Sequence, residues 1–446
     1  MTGSRREAQR AAASLGQALS SRDLGRADEL LSDDLALDGV GSLADLFGPG
    51  RDSSRLLELE RRDGWWAVDY ELGADLCSIR FELSEEAPSR IERLRVDHLG
   101  PPGWSWAAIE APLRSLDHPE PVLPARVALA VHERLATVVD ARRLVGLAAA
   151  VTHAGQVAHT SRFGVAACQG FVPLEPLTRW RAGSLTKVLT ALVALDLTDK
   201  GILDLDQPIA DGLPETTFVG IEGPPPPRVR ELLSHTAGVG PSHPSWHAPG
   251  VEPHRGGVIT ATDAAGRHLY SNLGYDLLAE IMEAATGRTY DELISALLAR
   301  LGMRHSTVDV DPPPTPSIAV GHQRSGDWVA PAPATRVASA AAGGLVTTID
   351  DLAQLSTQLS RPGSALLAAT RTHRVPVPSG HQSVGITISR PRHDEILWHA
   401  GAVPGTTSWI GSIPAAELSL VLLTNMTTAP LTEDGFDLLN LAAENL

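Results

Sequence analysis

Cysteine is nearly absent: Cys77 and Cys168 are the two in 446 residues. Two cysteines cannot build a disulfide framework. They fall in segments assigned below to different domains, so two buried free thiols are expected, with one inter-domain bridge as the alternative. No Cys/His cluster has structural zinc spacing, and no metal is expected. Positive charge is also scarce. Lys and Arg number 37 against 53 Asp and Glu, a formal net charge of -16. That argues against a nucleic-acid partner, which needs a basic surface to meet phosphates. Long apolar runs are missing too. The stretch 144–151 is among the longest and falls far short of a bilayer, so no membrane insertion is expected. The opening MTGSRREAQRAAASLGQAL has arginines but no long apolar run before its next charge. No secretory signal is read there, and a cytoplasmic location is expected. No internal repeat and no phosphate-binding glycine loop is evident, and no cofactor is expected.

What is present is a chain able to bury a large core. Its hydrophobic fraction is 43%, and its length admits two or three domains. Residues 1–97 show helical periodicity over 7–19 and 24–31, with Asp23 placed to cap the second helix. A short apolar patch spans 43–47. Strand-like runs then surround Asp63-Gly64, a pair suited to a tight hairpin, and recur at 75–83 and 90–96. Helices followed by an antiparallel sheet predict a small α+β domain. Residues 98–124 carry Pro101, Pro102, Pro112, Pro119, Pro121 and Pro124. That density predicts a stiff, irregular linker, anchored by Trp104 and Trp106. Residues 125–446 read as strands, then helices, then strands, with a turn at Ala154-Gly155. A sheet built from both ends with a helical insertion places a cleft between two lobes.

Three strings carry chemistry. In the first, RAGSLTK, Ser184 and Lys187 stand three apart at the expected start of a helix and so share one side. A serine hydroxyl is a weak nucleophile until a base takes its proton. Lysine serves as that base only where burial or a neighbouring cation lowers its pKa. The spacing alone also arises by chance, since serine caps helices and lysine coats them. In the second, YSNLGYDLLAEIMEAATG, Tyr270 is either a core ring or a proton shuttle. Asn272 is either a helix cap or a partner for Lys187 and the bound acyl group. In the third, WHAGAVPG, Gly401 sits in a strand and suggests close approach of another backbone. The backbone N–H groups of Ser184 and Ala402 would make an oxyanion hole. A lone His399 there would be structural or merely exposed.

Together these strings resemble the serine β-lactamase-like, penicillin-recognising superfamily, with its S-x-x-K, Y-x-N and K/H-x-G elements. The resemblance is nearest to the branch of class C β-lactamases, D-alanyl-D-alanine carboxypeptidases and esterases. The elements fall in the family's order as Ser184/Lys187, Tyr270/Asn272 and His399/Gly401. GILDLDQPI, VRELLSHTAGV, AAGGLVTTIDDLAQL and VLLTN also look like family landmarks, and the likeness covers about residues 125–446. It implies an α+β chain of the β-lactamase/transpeptidase-like fold, an antiparallel sheet flanked by helices plus a helical lobe. It also implies an acyl-enzyme on Ser184, acid–base work shared by Lys187 and Tyr270, and substrate orientation by Asn272, His399 and Gly401. His399 stands where the lactamases have lysine, which argues against efficient β-lactam hydrolysis. Ala265-Gly266 replaces the Pro-Gly often found before the tyrosine. His243, His247 and His254 do not match a zinc pattern, and His235 is read as supporting loop geometry.

The implied function is hydrolysis of an ester or small amide. The alternative is an acyltransferase or cyclase that passes the acyl group to an amine or alcohol. β-Lactam hydrolysis ranks below these, and a non-catalytic binding protein last. The partner is a small-molecule acyl donor. Residues 1–97 are similar in pattern to NTF2-like domains, and would shape the substrate entrance or form a homodimer.

Overall fold

The computed structural model describes residues 9–15, 31–38, 54–62, 65–72, 75–83, 91–100, 104–115, 126–213, 216–219, 227–240, 257–260, 266–312, 314–315, 317–325, 328–332, 337, 339–427 and 431–446. Its contacts divide into two compact units. One joins Met1–Ile109 to Arg324–Pro331; the other joins Glu110–Gln323 to Ala332–Leu446.

The first unit holds a five-stranded sheet. Its strands are β1 (Leu31–Asp38), β2 (Ser54–Arg62), β3 (Trp65–Leu72), β4 (Asp75–Leu83) and β5 (Ile91–Gly100), in the order β1-β5-β4-β3-β2. Trp66, Val68, Ile79, Phe81 and Leu83 are buried. Trp66 pairs with Phe81 and Val68 with Ile79, so one face of alternating residues makes the core. The sheet is not wholly antiparallel: β1 runs parallel to β5. Residues 9–15 are helical, within the expected 7–19. Asp23, the patch 43–47 and the Asp63-Gly64 turn lie outside the described residues. The second expected helix also lies outside them, except that Leu31 opens β1.

The stretch expected to be irregular contains a helix, α1 (Trp106–Ser115), with Pro112 inside it. One proline removes one helical N–H and crowds the preceding turn. Trp106, Ile109 and Leu113 are all buried at helical spacing, and that apolar face outweighs the local cost. Trp104 pairs with Val329 in a short antiparallel ladder.

The second unit is organised by a nine-stranded antiparallel sheet. Its strands are β6 (Gly146–His153), β7 (Gln156–Ala167), β8 (Val172–Pro173), β11 (Val375–Val377), β12 (Gly380–Gln382), β13 (Thr387–Ser389), β14 (Ile396–Val403), β15 (Thr406–Ile413) and β16 (Leu418–Thr424). Between β8 and β11 come β9 (Trp180–Gly183) and β10 (Leu345–Thr347), which pair with each other in a smaller sheet. The large sheet runs β11-β12-β13-β14-β15-β16-β6-β7-β8. Its first and last long segments therefore meet at the centre, with Leu147 opposite Thr424. The β6–β7 turn is the expected one. Ala154 and Gly155 take φ of 48° and 74°, as a two-residue hairpin turn requires.

Alternation along the central strands builds two cores. On β6, Leu147, Ala149 and Val151 face one cluster, while Ala148 and Ala150 face the other. On β16, Leu420 and Leu422 face the first, and Val421 and Leu423 the second. The first cluster is closed by α2 (Arg126–Arg142) and α10 (Thr432–Glu444) through Val131, Leu135, Leu438 and Leu439. The second is closed by α3 (Thr186–Asp199), α5 (Leu273–Thr286), α6 (Tyr290–Leu301), α8 (Ile349–Ser360) and α9 (Ala365–Thr372). The short helices α4 (Val229–Leu233) and α7 (Ala340–Gly343) lie within this lobe. Each fully buried Leu or Val contributes about 1.5–3 kcal/mol. α3 is buried on nearly every side, so the polar groups it carries must find partners inside the protein.

Candidate active site

Ser184 stands just ahead of the helix expected to begin near it. It sits in the turn between β9 and α3, and α3 begins at Thr186. Gly183 turns the chain with φ of 54°. A Cβ there would lie 2.9–3.0 Å from the backbone of Ala402, so only glycine fits both the angle and the approach. Thr186 Oγ1 donates to the Gly183 carbonyl at 2.6 Å and accepts from the Leu345 N–H at 3.0 Å. The turn is thereby fixed to β10.

Lys187 is fully buried in α3. Its Nζ has three acceptors: Asn272 Oδ1 at 2.7 Å, the Ala342 carbonyl at 2.8 Å and Ser184 Oγ at 3.2 Å. An ammonium fills all three. A neutral amine keeps the first two and offers its lone pair to the Ser184 hydroxyl. Burial pushes the Lys187 ammonium well below its ordinary pKa, and the charge of Asp276 opposes this in part. The neutral amine is therefore accessible here as it is not at a surface.

Tyr270 is not a core ring. It is 38% exposed, and its hydroxyl donates to Ser184 Oγ at 2.8 Å. Lys187 Nζ lies 4.8 Å from its ring centre. Desolvation raises the Tyr270 phenol, and the Ser184 hydrogen bond opposes the rise; the remaining exposure lets water temper the shift. Asn272 stands at the cap position of α5 but makes no side-chain cap bond. Its amide oxygen serves Lys187 instead.

His399 and Gly401 share one face of β14, because side chains alternate along a strand. A Cβ on Gly401 would fall 2.2 Å from the Ala182 carbonyl oxygen and 3.0 Å from Ser184 N. That face therefore looks toward the Ser184 turn, and the close backbone approach expected at Gly401 is present. Ser408 Oγ donates to the same Ala182 carbonyl at 2.8 Å. His399 is buried, and its Nδ1 donates to the Ala400 carbonyl at 2.7 Å. Burial first, and the charge of Lys187 second, hold its pKa down at about 3. The imidazole is neutral, with Nε2 as an acceptor.

His235, read from sequence as a loop support, packs against the site. Its φ is 58°, its Nδ1 accepts from the Ser271 N–H at 3.1 Å, and its ring lies 4.4 Å from that of Tyr270. Sequence reasoning missed Asp276, Ser339 and the Ala342 carbonyl. The available signal was an acid four residues after Asn272, on the same helix face. A cavity of about 710 Å³ borders Arg181 of β9 and Pro404 after β14; Ser184 does not line it. A second, of about 560 Å³, lies by Arg142, Trp398 and Phe436, on residues other than these. His243, His247, His254 and Ala265 lie outside the described residues. Among the described residues, no three His, Cys, Asp or Glu side chains converge to hold a metal ion. No described helix is long and apolar enough to cross a membrane.

A family model described as Beta-lactamase matches residues 131–444. The chain is 30% identical over 187 residues to esterase EstB of Burkholderia gladioli, covering 36% of this chain and 47% of that protein. It is 28% identical over 168 residues to penicillin-binding protein 4* of Bacillus subtilis (strain 168), covering 34% and 36%. These alignments span about half or less of each relative. Its fold is similar to that of the octameric penicillin-binding protein homologue from Pyrococcus abyssi. The TM-score is 0.62 at 24% identity, over 70% of this chain and 77% of that one.

Proposed function

Because the chain belongs to the β-lactamase family, we propose that it is a serine hydrolase that cleaves an ester or small amide through an acyl-enzyme on Ser184. One observation carries this reading: Ser184 Oγ lies within hydrogen-bond reach of both Lys187 Nζ and the Tyr270 hydroxyl. A nucleophile flanked by a buried amine and a phenol has a base for its proton and a donor for the leaving group.

In this reading neutral Lys187 takes the Ser184 proton as Oγ attacks the substrate carbonyl. The backbone N–H groups of Ser184 and Ala402 stabilise the oxyanion. The tetrahedral adduct collapses, and the Lys187–Tyr270 pair delivers the proton to the departing alcohol or amine. Water, deprotonated by the same pair, then attacks the acyl-enzyme and releases the acid, with Ser184 regaining its proton. Lys187 and Tyr270 titrate as a set, so the step belongs to the pair.

Neutral His399 supplies no positive charge for a substrate carboxylate. That supports an ester or small amide over a β-lactam, and the likeness to a protein named esterase supports it too. An amine or alcohol acceptor would use the same acyl-enzyme and differ only in the product. The test is intact-mass analysis after exposure to a fluorophosphonate and to p-nitrophenyl esters. One adduct, absent in Ser184→Ala, is expected, with ester turnover far exceeding that of a β-lactam. No adduct with any donor would sink the mechanism, and rapid β-lactam turnover would overturn the reading of His399.

A further inference from the structure

Asp276 follows Asn272 by four residues on α5, so the two side chains leave the same helix face. Its carboxylate accepts from the Ser339 hydroxyl. Ser339 caps α7, and its oxygen also accepts from the Ala342 N–H at 3.0 Å. The carbonyl of that same Ala342 receives Lys187 Nζ at 2.8 Å. The neighbouring Ala341 carbonyl accepts from Thr190 Oγ1 at 2.7 Å. A four-residue helix has too few internal hydrogen bonds to hold itself. Here α7 is tied at its start to Asp276 and at its end to α3.

The ionisable groups around this pair come from several elements. Glu280 lies on α5 and Tyr290 on α6; both interact with Asp276. Tyr270 and Tyr275 lie beside Lys187. His235, after α4, and His399, on β14, feel its charge. Burial keeps the phenols and imidazoles uncharged. Asp276 is the carboxylate whose charge favours the Lys187 ammonium.

We propose that Asp276 is a positioning residue for Lys187: through Ser339 it holds the turn that receives the amine, and its charge sets how readily that amine loses its proton. This rests on the reading of Ser184 as nucleophile and Lys187 as its base. Burial pushes the Asp276 carboxyl up to about 7, which places its ionisation within the neutral range. The two groups then titrate together. Removing the charge frees Lys187 to lose its proton at lower pH.

The experiment is the rate of fluorophosphonate labelling of the full chain across the neutral range. Asp276→Asn keeps an acceptor for Ser339 and removes the charge. Its acid limb should move to lower pH by about one unit. Asp276→Glu restores the charge and should return the limb toward wild type. Ser339→Ala should lower the plateau rate several-fold. Asp276→Ser removes the same charge and replaces Asp276→Asn if the amide does not fold. An acid limb that superimposes on wild type, or moves to higher pH, overturns the electrostatic role. An unchanged plateau in Ser339→Ala overturns the anchoring role. If the wild-type chain takes no label, the Ser184 reading has failed instead.

Discussion

Gly401 and Ser184 meet backbone to backbone, with no room for a side chain between them. A methyl on Gly401 would reach 3.0 Å from Ser184 N and 2.2 Å from the Ala182 oxygen. Gly401→Ala must therefore push β14 away from the Ser184 turn. In the proposed mechanism β14 supplies one oxyanion donor, the Ala402 N–H, and displacing one such donor costs about 10²–10³ in rate. Ester kcat should fall by at least that much, with a lowered melting temperature. Near-wild-type kcat would show that the two backbones do not act together.

Lys187→Met removes the amine and nearly matches its volume. Labelling of Ser184 should slow by about 10²–10⁴-fold, the usual worth of a positioned base. Asn272 Oδ1 and the Ala342 carbonyl lose a donor, so stability should also drop by about 1–3 kcal/mol. Labelling kinetics and urea unfolding measure the two effects separately.

Tyr270→Phe should separate chemistry from folding. The ring is partly exposed, and its hydroxyl bonds Ser184. Turnover should fall by about 10²-fold or more, while stability changes by less than about 1 kcal/mol. A large stability loss with retained turnover would return Tyr270 to a packing role.

Acid should destabilise the fold through buried imidazoles. Burial holds His322 at about 4 and His399 at about 3, against about 6.5 in an unfolded chain. The unfolded state thus binds protons that the folded state refuses. Above about pH 6.5 these groups add no pH dependence. Below it, each removes up to about 1.4 kcal/mol per pH unit, levelling off once the pH passes below the folded value. Urea midpoints in mildly acidic buffers should show this slope, and His322→Gln should flatten it. An equally steep slope in that variant would assign the acid sensitivity elsewhere.

Much of the site was legible because it is local. Ser184 and Lys187 are three residues apart, and Tyr270 and Asn272 only two. The nearly continuous apolar runs of β6 and β16 are legible as strands, and the two cores show that both faces are buried. Other features carry no local mark. The Ala342 carbonyl is backbone, and Ser339 stands beside a run of alanines. Pairing of β1 with β5 is non-local, so its parallel direction could not be read. The helix start lies within two residues of the expected one; what carries no local mark is the left-handed turn at Gly183 that sets Ser184 just ahead of α3. The helix around Pro112 was missed because burial of Trp106, Ile109 and Leu113 is a tertiary effect.

The meeting of β6 and β16 has a consequence for synthesis. The Thr424 hydroxyl bonds the Gly146 carbonyl across 278 residues. On the ribosome, the β6–β7 hairpin emerges early and waits for almost the whole unit before its other edge is covered. An uncovered edge invites pairing with other chains, and such long-range closure folds slowly. A nascent chain halted before β16 would carry Ser184 and Lys187 yet present a bare strand edge, making premature termination an aggregation hazard rather than a source of partly active enzyme.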